Sequence, residues 1–318
     1  MSAILEALRA DGALDRLEVL PVVPAGRLAV ERCHDSAYVD ALEAAMLKAP
    51  GIVDPAPTYV TPASLDAAFD AAGGAMAAVD AVLDRRSAAA LALVRPPGHH
   101  ALPDGAMGFC LLNNVAVAAR HAQARGIGRV LVFDVDVHHG NGTQAIFEAD
   151  ETVAYVSIHE RGIYPGTGPE AEVGVGRGRG TTVNVPLPAG SGDAALGAVF
   201  EEVLAPFAER FRPDLVLVSA GFDAHFRDPL AGLQVTGPGY HALARGLVAL
   251  AERWAAGRLV FVLEGGYDLD ALAGGVVNVV RAIEDRPAED DRPAGGLAVE
   301  PDVSDLVARV RDRHGLGA

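Results

Sequence analysis

The sequence is poor in cysteine and in aromatic residues, and it has no long apolar run. Two cysteines, Cys33 and Cys110, are too few for a disulfide framework in 318 residues, which is typical of a reducing compartment. No apolar run reaches the roughly 18–20 residues that a membrane span requires. Glu6 lies where a secretory signal would have its apolar core. We therefore predict a cytoplasmic protein without a membrane span.

Lysine is even scarcer, and negative charge dominates the chain. Lys48 is the one lysine beside 25 arginines, and 42 acidic residues leave a formal net charge of −16. A nucleic-acid binder needs a basic face, so this balance argues against nucleic-acid partners. The acidity promotes solubility, and it would also attract cations such as lysine side chains or polyamines. With 50% hydrophobic residues, the chain is too apolar to be disordered.

Apolar runs typical of buried strands alternate with helical stretches along the chain. Strands are predicted at Ala88–Val94, Arg129–Phe133, Thr152–Ile158, Thr182–Val185, Leu215–Ala220 and Arg258–Leu263. Helices are predicted at Ser36–Leu47, Pro62–Leu83, Asn113–Arg125, Thr143–Glu148, Asp193–Phe211, Pro238–Ala256 and Leu269–Ile283. This alternation predicts an α/β fold with one open, mostly parallel sheet and helices on both faces.

We expect residues 1–318 to form a single domain. Segment 284–301 is acidic and rich in Pro and Gly, which predicts a surface linker before a last helix, Val303–Arg313. The glycine-rich stretch 174–180, GVGRGRG, is only superficially similar to a phosphate loop. It lacks the G-x-G-x-x-G spacing and does not lie between a strand and a helix, so we predict a flexible loop.

Polar side chains gather where four of the predicted strands end. In chain order they are His99, His100, Asp134, Asp136, His138, Asn141, Asp223 and Tyr267. The ligand crevice of an open α/β sheet lies outside the carboxyl ends of its strands, so these side chains should meet there. Asp134, Asp136 and His138 share one face of an extended chain, since they are two residues apart.

Carboxylate and imidazole groups suit a zinc-like ion, and Asp223 can supply a ligand from a second strand. Three protein ligands with an open position are typical of a catalytic site. A buried cluster of acids and histidines is costly without a cation to compensate it. The sequence therefore predicts a metal-dependent catalytic site at this edge of the sheet.

Seven motifs, taken together, resemble the histone deacetylase superfamily. They are RPPGHHA (95–101), GFCLLNN (108–114), DVDVHHGNGT (134–143), YPGTG (164–168), NVPL (184–187), SAGFDAHFRDPL (219–230) and LEGGY (263–267). Asn141, where class I enzymes have Asp, and the stretch 58–73 resemble the class II branch. The resemblance implies the arginase–deacetylase fold, with one parallel sheet of about eight strands, and a zinc-dependent amidohydrolase.

The resemblance also implies a role for each matching residue. Asp136, His138 and Asp223 would ligate one zinc ion. His100 would be the general base and then the acid that protonates the leaving amine, with His99 as its electrostatic partner. Asp134 would orient His99, Asn141 would orient His100, and Tyr267 would donate its hydroxyl to the substrate carbonyl.

Two further sets of residues follow from the same resemblance. The substrate tunnel would be lined by Gly108, Phe109, Tyr164, Leu230 and Gly266. A structural potassium ion is also implied, held by the backbones of Asp134, Asp136, His138 and Ile158 and by the Ser157 hydroxyl.

The sequence departs from the family pattern in three places. A further strand and a rim loop usually precede the segment that matches Ser2–Arg9, so either the native N-terminus lies upstream of Met1 or the sheet lacks its first strand. The loop from Ser157 to Tyr164 is short. Pro57 replaces an acid that often grips the substrate backbone, and whether Asp54 takes over that role is open.

Four functions remain open at this point. A deacetylase acting on Nε-acyl-lysine in proteins or peptides is favoured, because the tunnel-mouth position that is acidic in polyamine-selective relatives is Leu230 here. An acetylpolyamine amidohydrolase is the alternative. An arginase-like site with two manganese ions would lack ligands for the second ion. A catalytically inactive binding module would have lost at least one of the metal-site or catalytic residues. The oligomeric state stays unknown.

Overall fold

The computed structural model describes residues 1–317. Its strands are β1 (Gly51–Ile52), β2 (Tyr59–Val60), β3 (Ala89–Ala92), β4 (Val130–Asp134), β5 (Val153–Glu160), β6 (Thr182–Leu187), β7 (Leu215–Ala220) and β8 (Leu259–Leu263). Its helices are α1 (Ser2–Ala10), α2 (Arg27–Val30), α3 (Ser36–Met46), α4 (Ser64–Leu83), α5 (Asn114–Ala124), α6 (Asn141–Phe147), α7 (Asp193–Val199), α8 (Ala205–Phe211), α9 (Gly237–Trp254), α10 (Leu269–Ile283) and α11 (Ser304–His314). No helix of this described part has both the length and the apolar character that crossing a membrane requires.

Six strands form one parallel sheet in the order β3-β8-β7-β4-β5-β6. The predicted α/β class is confirmed. The sheet has six strands where about eight were expected, because β1 and β2 pair only with each other in an antiparallel hairpin. Each of these two strands has only two residues, which is too short to extend a sheet whose central strands have five to eight.

The central strands are buried on both faces, which explains their continuous apolar sequences. Leu131 and Phe133 of β4 belong to the core on one face, whereas Val130 and Val132 belong to the core on the other. Consecutive side chains of a strand point to opposite sides, so one short strand supplies both cores. Helices cover each face, mainly α4 and α5 on one and α9, α10 and α1 on the other.

A crevice opens between the loops that follow β4 and β7. These two strands are neighbours, but the chain passes from β4 to β5 on one side and from β7 to β8 on the other. The two loops therefore diverge at the carboxyl edge of the sheet, as they do at the ligand sites of open α/β folds.

Segment 284–301 contains no helix or strand, but it is bonded to the body of the protein. Asp291 accepts a hydrogen bond from the backbone N–H of Gly237 (2.9 Å) and lies 2.7 Å from Nε2 of His225. Glu300 caps the start of α7 by accepting from the backbone N–H groups of Gly192, Ala194 and Ala195. The segment is thus tied to the loop after β7 and to α7.

Both cysteines lie in the interior. Cys33 and Cys110 are free thiols and are buried. Burial raises the pKa of the Cys33 thiol to about 12 and raises that of Cys110 well above its usual range. Neither side chain is therefore a reactive thiolate near neutral pH.

Candidate metal and catalytic site

Asp136, His138 and Asp223 converge in the crevice between the β4 and β7 loops. One donor atom from each lies within 4.8 Å of the others. The Nδ1 atom of His138 is 3.1 Å from Oδ1 of Asp136 and 3.3 Å from Oδ2 of Asp223. One imidazole nitrogen and two carboxylate oxygens form a donor set that suits zinc.

Backbone amides hold the two carboxylates in place. Asp136 accepts hydrogen bonds from the N–H groups of His138 (2.9 Å) and Gly265 (2.8 Å), and Asp223 accepts one from Val137 (2.9 Å). A side chain at Gly265 would collide with both carboxylates. Glycine at this position therefore lets the β8 loop approach the donors closely.

One oxygen of this cluster has no hydrogen-bond partner. Oδ2 of Asp223 is buried and unpartnered among the described residues. Burial and the neighbouring Asp136 carboxylate raise the pKa of Asp223 to about 7, because two buried negative charges repel each other. A cation among the three donors would satisfy this oxygen and compensate the charge, so the residues present fit a metal ion.

His99 and His100 lie beside the three donors, with ring centroids 4.0 Å apart. Nδ1 of His99 is 3.1 Å from Oδ2 of Asp134, which also accepts from the Tyr155 hydroxyl (2.9 Å). Nδ1 of His100 is 2.8 Å from Oδ1 of Asn141. An amide oxygen only accepts, so Nδ1 of His100 carries the proton and Nε2 keeps its lone pair.

Electrostatics separates the protonation states of the two histidines. Burial opposes protonation of His99, but the carboxylates of Asp136 and Asp134 outweigh it and raise its pKa to about 10. Burial and the positive charge of His99 lower the pKa of His100 well below its usual range. His99 is therefore the more basic of the two histidines and His100 the less basic one, an asymmetry that suits acid–base chemistry.

Glu264 holds the two-histidine loop in position, a function that the sequence did not reveal. Its buried carboxylate accepts hydrogen bonds from the N–H groups of Gly98 (2.6 Å) and His99 (3.1 Å) and from the Ser219 hydroxyl (3.2 Å). The LEGGY motif contains Glu264, but a lone Glu at a strand end does not disclose backbone partners from a distant loop.

Tyr267 enters the crevice from the loop after β8. Asp228 accepts a hydrogen bond from its backbone N–H (2.7 Å), and the Phe109 ring lies 6.3 Å from the Tyr267 ring. Burial and the charges of Asp136 and Asp223 raise the pKa of the phenol well above its usual range. The hydroxyl therefore stays protonated and can donate a hydrogen bond.

Two aromatic side chains, Tyr164 and Phe109, flank the catalytic candidates. The Tyr164 ring lies 5.2 Å from His100 and 6.3 Å from His138, and Phe109 lies against Tyr267. Phe109 and Tyr164 are each partly exposed. Gly108 has a φ of 56°, and a side chain there would approach the His100 ring to 2.5 Å.

The other two predicted tunnel residues lie on the loops that carry Asp223 and Tyr267. Gly266 has a φ of 139°, which favours glycine. Leu230 is 49% exposed and follows Asp228, whose Oδ1 accepts from its backbone N–H (3.0 Å). Asp228 thus links the Leu230 loop to the Tyr267 loop.

The residues expected to hold potassium lie on neighbouring strands. Asp134 of β4 pairs with Ser157 of β5, and Ile158 follows it in the same strand. The Ser157 hydroxyl is 2.9 Å from Nδ1 of His159. The potassium site stays a prediction from the resemblance.

Comparison with known proteins identifies the family. The Histone deacetylase domain model matches residues 1–283. The chain belongs to the histone deacetylase family. The superfamily resemblance of the seven motifs is thereby confirmed, and amide hydrolysis by deacetylation is the general reaction of the chain.

Several members of the histone deacetylase family are similar over most of the chain. "Histone deacetylase 14, chloroplastic" from Arabidopsis thaliana is 47% identical over 90% of this chain and 71% of its own length. "Histone deacetylase-like amidohydrolase" from Pseudomonas aeruginosa is 40% identical over 96% of this chain and 75% of its own. The crystal structure of the HDA15 HD domain superposes with a TM-score of 0.89 at 36% identity, covering 98% of this chain and 85% of that one.

Proposed function

We propose that the chain is a zinc-dependent deacylase that hydrolyses the side-chain amide of Nε-acyl-lysine in proteins or peptides. The observation that carries the proposal is the convergence of Asp136, His138 and Asp223, with one oxygen unpartnered, beside the neutral His100. When bound, zinc supplies Lewis acidity and lowers the pKa of a bound water.

His100 performs the proton transfers in this proposal. Its Nδ1 proton is engaged by Asn141, so the Nε2 lone pair is free to take a proton from water. The same nitrogen then donates a proton to the nitrogen of the leaving group, because an amine cannot leave as its deprotonated anion. Burial and the neighbouring His99 lower the pKa of His100, which favours this return.

Tyr267 stabilises the substrate oxygen. Its phenol stays protonated across the working pH range and donates to the carbonyl oxygen as negative charge develops there. Its backbone is held by Asp228. The donor is therefore positioned before substrate arrives, so little reorganisation is needed during the reaction.

The surroundings of the entrance favour lysine over polyamine substrates. Phe109, Tyr164 and Leu230 offer apolar contact to a four-carbon stem. Both oxygens of Asp54, the candidate rim acid, accept backbone N–H bonds from Ala56 (2.6 Å) and Thr58 (3.1 Å). A second substrate ammonium beside Leu230 would lose water without gaining a counter-charge.

The experiment compares kcat/KM for an acetyl-lysine peptide and for N8-acetylspermidine. We expect the native enzyme to prefer the peptide and Leu230→Glu to move the ratio toward the polyamine by about tenfold. Leu47→Glu, the same change at a leucine that is 89% exposed, is the matched control and should leave the ratio unchanged. A native preference for the polyamine would overturn the lysine assignment. Absence of turnover in zinc-loaded enzyme on both substrates would favour the binding module.

A further inference from the structure

A second cavity lies at the opposite edge of the sheet from the metal and catalytic site. Arg129, Glu151 and Thr181, which line it, come just before β4, β5 and β6. Its volume is about 670 Å³, within the range of small-molecule sites. The eight residues of β5 separate the two edges by about 26 Å at 3.3 Å per residue. We call this cavity the amino-edge cleft.

Four arginines give the amino-edge cleft a positive charge in a strongly acidic protein. They are Arg129, Arg179, Arg210 and Arg313, and Glu151 is the one acid among the described residues that line it. In a protein with a net charge of −16, such a concentration of positive charge is unusual. Guanidinium groups have the fork geometry that matches phosphate and carboxylate oxygens.

These guanidinium groups are largely without acidic partners. Within the described residues, Arg129, Arg179 and Arg210 form no ion pair, and Arg313 reaches Glu170 only at 3.9 Å. Glu170 is already engaged by Arg309 (2.9 and 3.2 Å). Elsewhere on the surface, arginines often form ion pairs with several carboxylates. Arg27, for example, pairs with Glu31, Asp40 and Glu43. The charge of the cleft is therefore available to a ligand.

His314 lies at the buried side of the cleft. Its side chain lines the cleft and is only 6% exposed, and its Nε2 atom has no hydrogen-bond partner among the described residues. Arg210, which stacks over the Phe207 ring at 5.2 Å, donates to the backbone oxygen of His314. His314 therefore marks the buried side of the cleft, and its own Nε2 atom is closed to a ligand there.

The glycine-rich loop at 174–180 forms part of the wall. The sequence predicts a flexible loop there, but the structure gives it a defined turn around a short 3₁₀ helix at Gly176–Gly178. Gly178 packs against the backbone of Glu148 and Asp150, where a side chain would collide. This close packing fixes the point at which the loop presents Arg179 to the cleft.

We propose that the amino-edge cleft binds a small ligand that carries two adjacent phosphoryl groups. Arg129 and Arg179 supply the charge from the strand side, and Arg210 supplies it from α8, with its guanidinium held by Phe207. The His314 ring lies at the buried side of the cleft, where it can report binding. The ligand is too far from His100 to touch the amide, so its binding is separate from deacylation.

Isothermal titration of the zinc-loaded protein with pyrophosphate tests this proposal, in the presence of a saturating hydroxamate that blocks the metal site. We expect saturable binding with a Kd below about 1 mM, and at least about tenfold weaker binding in the Arg129→Gln/Arg179→Gln double variant. Arg177→Gln removes the same charge from the same loop outside the cleft and should bind as the native protein does.

Histidine ring NMR supplies a second measurement. We expect the His314 signal, assigned with a His314→Phe variant, to shift on pyrophosphate addition in the native protein and in Arg177→Gln. No saturable binding up to about 10 mM would overturn the proposal. Equal affinity in the double variant, or binding without a shift of His314, would also overturn it.

Discussion

The Tyr267 hydroxyl owes its position to a carboxylate on another loop. Asp228, which is 39 residues away in sequence, accepts from the Tyr267 backbone N–H and also from Asp268 (3.3 Å). The phenol is thus set by two loops that meet at the crevice. A change at the hydroxyl itself should therefore alter the chemistry without disturbing the local backbone.

In the proposed reaction, Tyr267→Phe removes one hydrogen-bond donor to the developing oxyanion. We expect kcat to fall by about 10²–10³-fold, the usual loss for one such donor. The zinc content, measured by atomic emission, should stay at one ion per chain. Tyr59→Phe, the same change at a tyrosine that is 63% exposed, is the control and should retain full activity. Unchanged turnover in Tyr267→Phe would show that the hydroxyl does not contact substrate.

His34 makes the stability of the fold depend on pH. Its ring is buried, with Nδ1 2.9 Å from the Leu102 oxygen and Nε2 accepting from the Asn113 N–H (2.9 Å). Burial lowers its pKa from 6.5 to about 4. Below pH 6.5 the unfolded chain binds a proton that the folded chain excludes. Stability is therefore fully present above pH 6.5 and falls as the pH drops toward 4.

Between pH 7.5 and pH 5, we expect His34 alone to lower the free energy of unfolding by about 2 kcal/mol. The decrease is about 1.4 kcal/mol per unit of pH below 6.5. Urea unfolding at the two pH values should show that His34→Gln loses this part of the dependence. His241→Gln, at a partly exposed histidine of α9, is the matched control. An equal pH dependence in native protein and His34→Gln would contradict the assignment.

The sequence located the side chains that meet in the crevice better than the side chains that hold their loops in place. His100, Asp136 and Tyr267 lie in motifs at strand ends, and the parallel topology brings such ends together. Glu264 and Asp228 are single acids whose partners are backbone amides of distant loops, and the Gly98 partner of Glu264 is 166 residues away. A local sequence pattern does not predict a hydrogen bond between a side chain and the backbone of a distant loop.

Helix α7 depends on a cap supplied from segment 284–301. Its N-cap residue, Gly192, has no side chain, and Glu300 binds the free N–H groups of Gly192, Ala194 and Ala195 from more than 100 residues away. Glu300→Ala would leave these donors to water or unsatisfied. We expect a loss of about 2 kcal/mol in the free energy of unfolding.

Calorimetry should show this change as a fall in Tm of about 3 °C. Asp290→Ala, in the same segment, removes a carboxylate that is paired, among residues 1–317, only with Arg292 and should leave Tm unchanged. Equal Tm values for Glu300→Ala and the native protein would mean that the segment does not support α7.

The strands were predictable and the connections were not. Apolar runs located β3 to β8. In β4 to β8 every residue is buried, so no polar side breaks the pattern, whereas β3 is only partly buried at the edge of the sheet. The β1–β2 hairpin escaped notice, since strands of two residues carry no periodicity. The predicted helix Asp193–Phe211 is α7 and α8 joined by a π-helical segment, Phe200–Leu204, whose wider turn leaves no signature in composition.

The acidic charge of the protein should govern how fast charged substrates arrive. A net charge of −16 attracts cationic peptides from a distance, and salt screens this attraction. We expect kcat/KM for an acetyl-lysine peptide flanked by arginines to fall several-fold between about 50 and 500 mM NaCl. A peptide with the same acetyl-lysine and no flanking charge should change little. Equal salt dependence of the two peptides would exclude long-range attraction.

Because its two cysteines are buried, the native chain is suited to site-specific labelling with thiol-reactive fluorescent dyes. Because Cys33 and Cys110 are both enclosed and protonated, a maleimide dye should find no native target in the folded protein. A cysteine introduced at Arg177 and another at Leu47 would then carry a donor–acceptor pair without any removal of natural thiols. Energy transfer between the two dyes could follow single molecules while pyrophosphate or an acetylated peptide is added.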